Sequence, residues 1–269
     1  AAYIVSLPRD TLVTIPAHTS QDGKSQIPAR YGKLNAAFAF GGAPLLIETI
    51  ESMTQLQIDH YVEVSFAGFV GVVDALGGIE VCSNVPINDP KSHLVMDAGT
   101  HVLDGVESLK YVRTRDFDGR GDIGRMERQQ KFVSGIIRKA TSSGTLLNPI
   151  KLANFFKATI STVKMDEGVN KNDLLTLAKQ MRNLSSGNVR TLTVPLSDPN
   201  GRYPGLGSVV IWDSTLAPEL WSRIKNDTAL VDTVISKKSS ASPKATPSAS
   251  TIDKFKTHTA AENPCGAKK

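Results

Sequence analysis

Between residues 111 and 140 the chain reads YVRTRDFDGRGDIGRMERQQKFVSGIIRKA, and this arginine-rich run holds the residues best suited to chemistry. Projected at 100° per residue, a helix over 122–140 puts Val133, Ile136 and Ala140 on one stripe that should face a core. Asp122, Arg125 and Gln129 fall on that stripe one to two turns earlier, while Glu127, Lys131, Ser134 and Arg138 lie opposite and read as solvated. Buried charges must be paired or bound to something, so the first half of this helix either lines a polar cavity or is locked into an internal salt-bridge network. The preceding helix repeats the pattern, with Val106, Leu109 and Arg113 on one face. Arg115 follows two residues later, on the same side of an extended chain. Arg9, in SLPRDT, and Lys33, heading KLNAAFAFGG, complete a candidate set of Arg9, Lys33, Arg113, Arg115 and Arg125. Planar, permanently charged guanidinium groups suit phosphate oxygens, and backbone N–H groups at the start of the 122 helix offer a second anion-binding element. Taken singly, Arg115, Arg120 and Arg128 read as ordinary surface arginines, and the RGD tripeptide at 120–122 as chance.

The elements that must position these residues alternate between the two periodicities, which predicts a mixed α/β domain. Strands are predicted at 3–7, 60–65, 79–83 and 188–194, and helices at 43–56, 66–76, 104–113, 122–142, 148–163 and 171–185. Gly77-Gly78 should stop the second helix. The apolar segments 38–46 and 66–76 read as core, or as the lining of a greasy channel. There is no G-x-S-x-G elbow, H-E-x-x-H, P-loop or G-x-G-x-x-G after a strand, and the five histidines are scattered, which removes most support for hydrolase and nucleotide-binding readings.

The net charge of +5 does not mark a nucleic-acid groove. Seven lysines and two acids after residue 235 supply all of it, so residues 1–235 are neutral overall. Residues 236–252 are rich in Ser, Ala, Pro and Lys and read as a flexible linker, followed by a short Cys-containing tail over 253–269. Cys82 and Cys265 form no C-x-x-C pair and have no histidine cluster nearby, which argues against zinc. They are either two unrelated buried thiols or one long-range disulfide, and a disulfide would require an oxidising compartment. No run approaches the roughly 20 apolar residues of a membrane-spanning helix, and the N-terminus lacks signal-peptide character.

SLPRDT, KLNAAFAFGG, FAGFVGVVDALGGIEV, AGTHVLDGVESLKYVRTR and GDIGRMERQQKF resemble, in order and spacing, successive motifs of the LytR-CpsA-Psr family over residues 3–140. The context of the two cysteines resembles its actinobacterial branch. The resemblance implies an αβα fold with a mixed central sheet and a hydrophobic lipid channel, its catalytic domain spanning 1–235 and lacking N-terminal strands. It implies a phosphotransferase that moves a glycopolymer phosphate from a polyprenyl-pyrophosphate carrier onto peptidoglycan, with a pyrophosphatase side activity. The catalytic set it implies is Arg9, Asp122, Arg113 and Arg125; pyrophosphate is held by Arg9, Lys33, Arg113, Arg115, Arg125 and Gln129. Asp122 either orients the arginines or helps deprotonate the sugar hydroxyl. The implied cofactor is a divalent metal, Mg2+ or Mn2+, whose family ligands precede the first residue here; Asp10 alone is no sole ligand. Family members sit on the extracytoplasmic side of the cell membrane through an N-terminal anchor. For this chain, which starts after both, activity and inactivity both stay open. Rival readings are a membrane-associated transcription attenuator and a non-catalytic polyprenyl-phosphate-binding module; no nucleic acid is expected as a partner.

Overall fold

The structure is a computed structural model of the 269-residue chain. It describes residues 2–115, 119, 121–142, 163–166, 168, 176, 186–236, 248–262 and 265. The chain begins with β1 (Ala2–Ser6), β2 (Leu12–Ile15), the short β3 (His18–Thr19) and β4 (Gln26–Ile27), β5 (Arg30–Lys33) and α1 (Leu34–Thr54). There follow β6 (Val62–Val64), α2 (Phe66–Ala75), β7 (Ile79–Ser83), β8 (Ile87–Asp89), β9 (Leu94–Met96), β10 (Gly99–Leu103), α3 (Gly105–Arg113) and α4 (Gly121–Ser142). The last part holds β11 (Val163–Met165), β12 (Val189–Thr193), β13 (Leu196–Tyr203), β14 (Gly207–Trp212), α5 (Leu216–Lys225), β15 (Asp232–Ser236), β16 (Ser248–Ile252) and β17 (His258–Thr259). The mixed α/β class is as predicted. The chain forms two compact units: one comprises residues 1–6, 59–191 and 258–269, and the other residues 7–58 and 192–257.

The first unit is built around α2, α3 and α4. Ser65 Oγ accepts the Gly68 N–H at 3.1 Å and starts α2; Asp104 Oδ1 accepts the Glu107 N–H at 2.8 Å and starts α3. Gly77 and Gly78 take φ of 73° and 84° and stop α2 where the sequence predicts. Two helices can approach closely at Gly105, where a Cβ would lie 2.5 Å from the Val70 carbonyl oxygen. Their apolar faces close on β7, which pairs antiparallel with β10 from Ile79↔Leu103 to Ser83↔Gly99. Val73, Ile79, Leu103, Tyr111 and Phe132 form the core. β12 lies between β1 and β17 in a three-stranded sheet. Cys82 and Cys265 are disulfide-bonded with Cα atoms 5.1 Å apart. Arg138 Nη1 donates to the carbonyls of Ala260 and Glu262 at 2.9 and 3.1 Å, so the C-terminal tail is bound to this unit by more than the covalent link.

In the second unit β2 pairs antiparallel with β5, from Leu12↔Lys33 to Ile15↔Arg30, and a parallel bridge joins Thr11 to Val210 at β14. Val13, Ile15, Leu34, Ala37 and Leu45 form its core beneath α1. The predicted 43–56 helix is the second half of α1: Gly42 (φ 65°, ψ −154°) leaves the helical region just before Pro44, and a first helical stretch that the sequence reading did not give starts at Leu34. Of the expected 236–252 linker, Ser236 and residues 248–252 are strand, paired from Asp232↔Ile252 to Ser236↔Ser248. The residues between them lie outside the described ones, as do the predicted helices over 148–163 and 171–185, apart from Val163, which begins β11, and residue 176.

Candidate anion-binding site

Arg9 and Lys33 belong to the second unit, where the turn after β1 is tied to the start of α1. No side chain caps that helix; the Leu34 and Asn35 N–H groups donate to the carbonyls of Thr11 and Arg9, each at 2.9 Å. Asp10 stands between the two cations, with Oδ2 at 3.3 Å from Arg9 Nε and Oδ1 at 3.4 Å from Lys33 Nζ. Arg9 is 55% exposed at its side chain, which leaves most of the guanidinium available to an anion. Asp10 is already committed to two cations, and no group of three His, Cys, Asp or Glu that could hold a metal ion occurs among the described residues. The described residues therefore do not supply a donor set for the implied divalent metal.

The first unit brings Arg113, Arg115 and Gln129 together at the end of α3. Gln129 Nε2 reaches from α4 to the Val112 carbonyl at 3.1 Å, and Arg125 lies one turn earlier on α4. Arg113 and Arg115 are exposed, Gln129 is exposed and Arg125 is half-buried. Arg113 sits over the ring of Phe66, Cζ to centroid 5.2 Å, an attraction that fixes the guanidinium while leaving its N–H groups at the surface. Asp122 falls in the first turn of α4; its side chain lies outside the described ones.

The burial of α4 corrects the predicted stripe. Gly124, Arg128, Phe132 and Gly135 are buried; Ile136 and Ala140 are half-buried and pack against the core as the stripe predicts, and Val133 is half-buried. Arg128, which reads alone as a surface residue, is 7% exposed and donates from Nη2 to the Thr114 carbonyl at 2.6 Å. Ser134, predicted to be solvated, is 5% exposed, and Arg138 is half-buried against the tail. The buried, hydrogen-bonded cation of this helix is thus Arg128, which the sequence reading placed at the surface. The glycines were the available signal: a Cβ on Gly135 would come within 2.9 Å of Ile79 Cγ2, so the helix packs closest along its small residues.

Asp89 was also missed. It is 1% exposed; Oδ1 accepts the Lys91 and Ser92 N–H groups at 2.9 and 3.3 Å, and Oδ2 accepts the Arg115 N–H at 2.8 Å. Tyr111, in contact with Phe132, has its phenol pushed above the usual range by burial, partly offset by the nearby Arg128 charge. The arrangement is a rigid, hydrogen-bonded helix end that presents two arginines to solvent. Chemically it suits a multiply charged phosphate anion: it supplies bidentate donors and positive charge without a covalent nucleophile.

Comparison with known proteins adds a family. The LytR_cpsA_psr family model matches residues 1–226. The probable cell wall biosynthesis protein LcpB of Corynebacterium glutamicum is 38% identical over 222 residues, covering 82% of this chain and 49% of that protein. The polyisoprenyl-teichoic acid–peptidoglycan teichoic acid transferase TagU of Enterococcus faecalis is 41% identical over 145 residues, 54% of this chain and 44% of that protein. The crystal structure of B. subtilis TagV matches with a TM-score of 0.65 and 26% identity over 83% of each chain. The chain spans about half the length of the curated relatives it matches.

Proposed function

The chain belongs to the LytR-CpsA-Psr family, and on that footing we propose that it carries the catalytic machinery of a glycopolymer–peptidoglycan phosphotransferase. The observation that carries this reading is the pinned end of α3, which offers Arg113 and Arg115 at the surface with Gln129 and Arg125 alongside. In the proposed reaction an acceptor sugar hydroxyl attacks the glycopolymer-side phosphorus of the lipid pyrophosphate. The bond from that phosphorus to the bridging oxygen breaks, and polyprenyl phosphate leaves. The arginines hold the non-bridging oxygens and neutralise the charge that spreads over them. Asp122 is assigned either to orienting the arginines or to accepting the hydroxyl proton. Water in place of the sugar hydroxyl gives the pyrophosphatase side reaction. Arg9 and Lys33, in the other unit, are assigned phosphate contacts by the family resemblance alone.

The carrier's apolar tail is assigned to α2, whose Phe66 is 64% exposed beneath Arg113. A divalent cation enters the proposal as an external requirement, and no residue described here is assigned to it. We place the enzyme on the extracytoplasmic side of the cell membrane, a location supported by the Cys82–Cys265 disulfide, since such bonds persist in oxidising compartments. No helix among the described residues is long and apolar enough to cross a membrane.

The test is mass spectrometry of lipids extracted from the natively purified protein, followed by transfer of a lipid-linked glycopolymer to peptidoglycan. Near-stoichiometric polyprenyl phosphate or pyrophosphate is expected. Arg113→Ala should lower transfer by about 10²–10³-fold, the scale of removing one preorganised donor. A folded protein that neither retains polyprenyl pyrophosphate nor takes it up on loading refutes the reading.

A further inference from the structure

Arg115 stands two residues past the end of α3, where no helix holds it, yet a phosphate-binding guanidinium must be aimed to within a fraction of an ångström. The structure shows what holds its backbone. The Thr114 carbonyl and the Arg115 N–H belong to one peptide unit, and both ends of that unit are gripped. Arg128 donates to the carbonyl at 2.6 Å, and Asp89 accepts from the N–H at 2.8 Å. Both gripping groups are buried, at 7% and 1% exposure, so neither bond competes with bulk water. Thr114 itself is fully buried and donates from Oγ1 to the Tyr111 carbonyl at 2.8 Å, and Gln129 takes the Val112 carbonyl.

We propose that Asp89 is a positioning residue, which with Arg128 clamps the Thr114–Arg115 peptide and thereby aims Arg115 at the substrate phosphate. The proposal rests on the function argued above. A plainer role exists for one half of the side chain: Oδ1 caps the β8–β9 turn through Lys91 and Ser92, as aspartates commonly do after a strand. The other half is different. The bond from Arg115 to Oδ2 spans 26 residues and contributes nothing to the hairpin's own turn. The two oxygens therefore have separable duties. Asparagine keeps one acceptor for the turn and points an NH2 at the Arg115 N–H, donor against donor, which preserves the hairpin and breaks the clamp.

The experiment has two arms on the full chain. In the first, amide hydrogen exchange of Arg115 is followed by NMR in the unaltered protein and in Asp89→Asn. Strong protection is expected in the former and its loss in the latter. In the second, binding of geranylgeranyl pyrophosphate is measured by calorimetry for the unaltered protein, Asp89→Asn, Arg115→Ala and the double variant. Asp89→Asn should weaken binding about tenfold, the scale of one misaimed charge-assisted contact. In the Arg115→Ala background the same change should cost less than about twofold, because Asp89 acts through Arg115. Additive losses, or an Arg115 amide that exchanges like open loop in the unaltered protein, overturn the inference. If Asp89→Asn fails to fold, exchange in the unaltered protein still decides whether the clamp exists. A protein with a protected Arg115 amide that binds no pyrophosphate overturns the proposed function and leaves the clamp as architecture only.

Discussion

Removal of the Cys82–Cys265 bond is the perturbation whose size follows most directly from the structure. The two residues are 183 apart in sequence, and the loop-closure relation gives about 5 kcal/mol at 25 °C for a crosslink of that span. This figure assumes that the reduced native state keeps its geometry. The contacts around the tail support that assumption: the Ala260 N–H donates to the Val189 carbonyl at 2.8 Å, β17 pairs with β12 at Arg190↔Thr259 and Thr191↔His258, and Arg138 holds two tail carbonyls. Residual structure in the reduced, unfolded chain lowers the difference, so a loss of about 3–5 kcal/mol is expected. With a urea dependence of about 2–3 kcal/mol per molar, the unfolding midpoint should fall by about 1–2.5 M. The assay is urea unfolding followed by far-ultraviolet circular dichroism, comparing the natively purified protein with a Cys82→Ser/Cys265→Ser double variant. Thiol titration in denaturant should find no free thiol in the former. Two titratable thiols, or midpoints that coincide, would refute both the pairing and the entropy argument built on it.

Two further outcomes follow from burial and from charge. Phe132→Ala empties the largest fully buried side chain among the described residues of the first unit, stacked on Phe69 at 5.3 Å, and should cost about 3–5 kcal/mol by chemical denaturation; Val106→Ala, at an exposed site on α3, should cost less than about 0.5 kcal/mol. On acidification, Asp166 and Asp213 should both lower stability. The Tyr61 N–H, then His60 and the Gly168 N–H, hold the Asp166 carboxyl below its ordinary 3.8, and the Leu216 and Thr215 N–H groups do the same for Asp213. A depressed folded-state value means that the stabilisation is complete above the unfolded value and is lost as pH falls through the folded one, so the decline should set in below about pH 4. Urea midpoints at pH 7, 5, 4 and 3 should show that decline, with a smaller drop in Asp213→Asn; equal drops in the two proteins would dismiss Asp213 as a contributor.

Local signals in the sequence determined more of the first unit than of the second. Strand 79–83 and the helices starting near residues 66, 105 and 121 are set by side-chain periodicity, by Ser65 and Asp104 as caps and by Gly77-Gly78 as a stop, all of which act within a few residues. The short strands of the second unit carry little period of their own, and Thr11↔Val210 joins residues far apart in the chain. Pro44 and Gly42 read locally as a helix boundary, and the backbone does leave the helical region at Gly42, while Ala37 before it and Leu45 after it pack into one core. At the candidate site, the residue types alone indicated that charge would be buried on α4. Which arginine is buried and which is presented was decided only in three dimensions. Arg128 can leave water because the Thr114 carbonyl, from another helix end, receives its N–H; Arg113 stays at the surface because the exposed Phe66 ring lies under it. A hydropathy pattern records the cost of burying a charge, but the partner that offsets that cost belongs to a distant segment and appears only when the chain has folded.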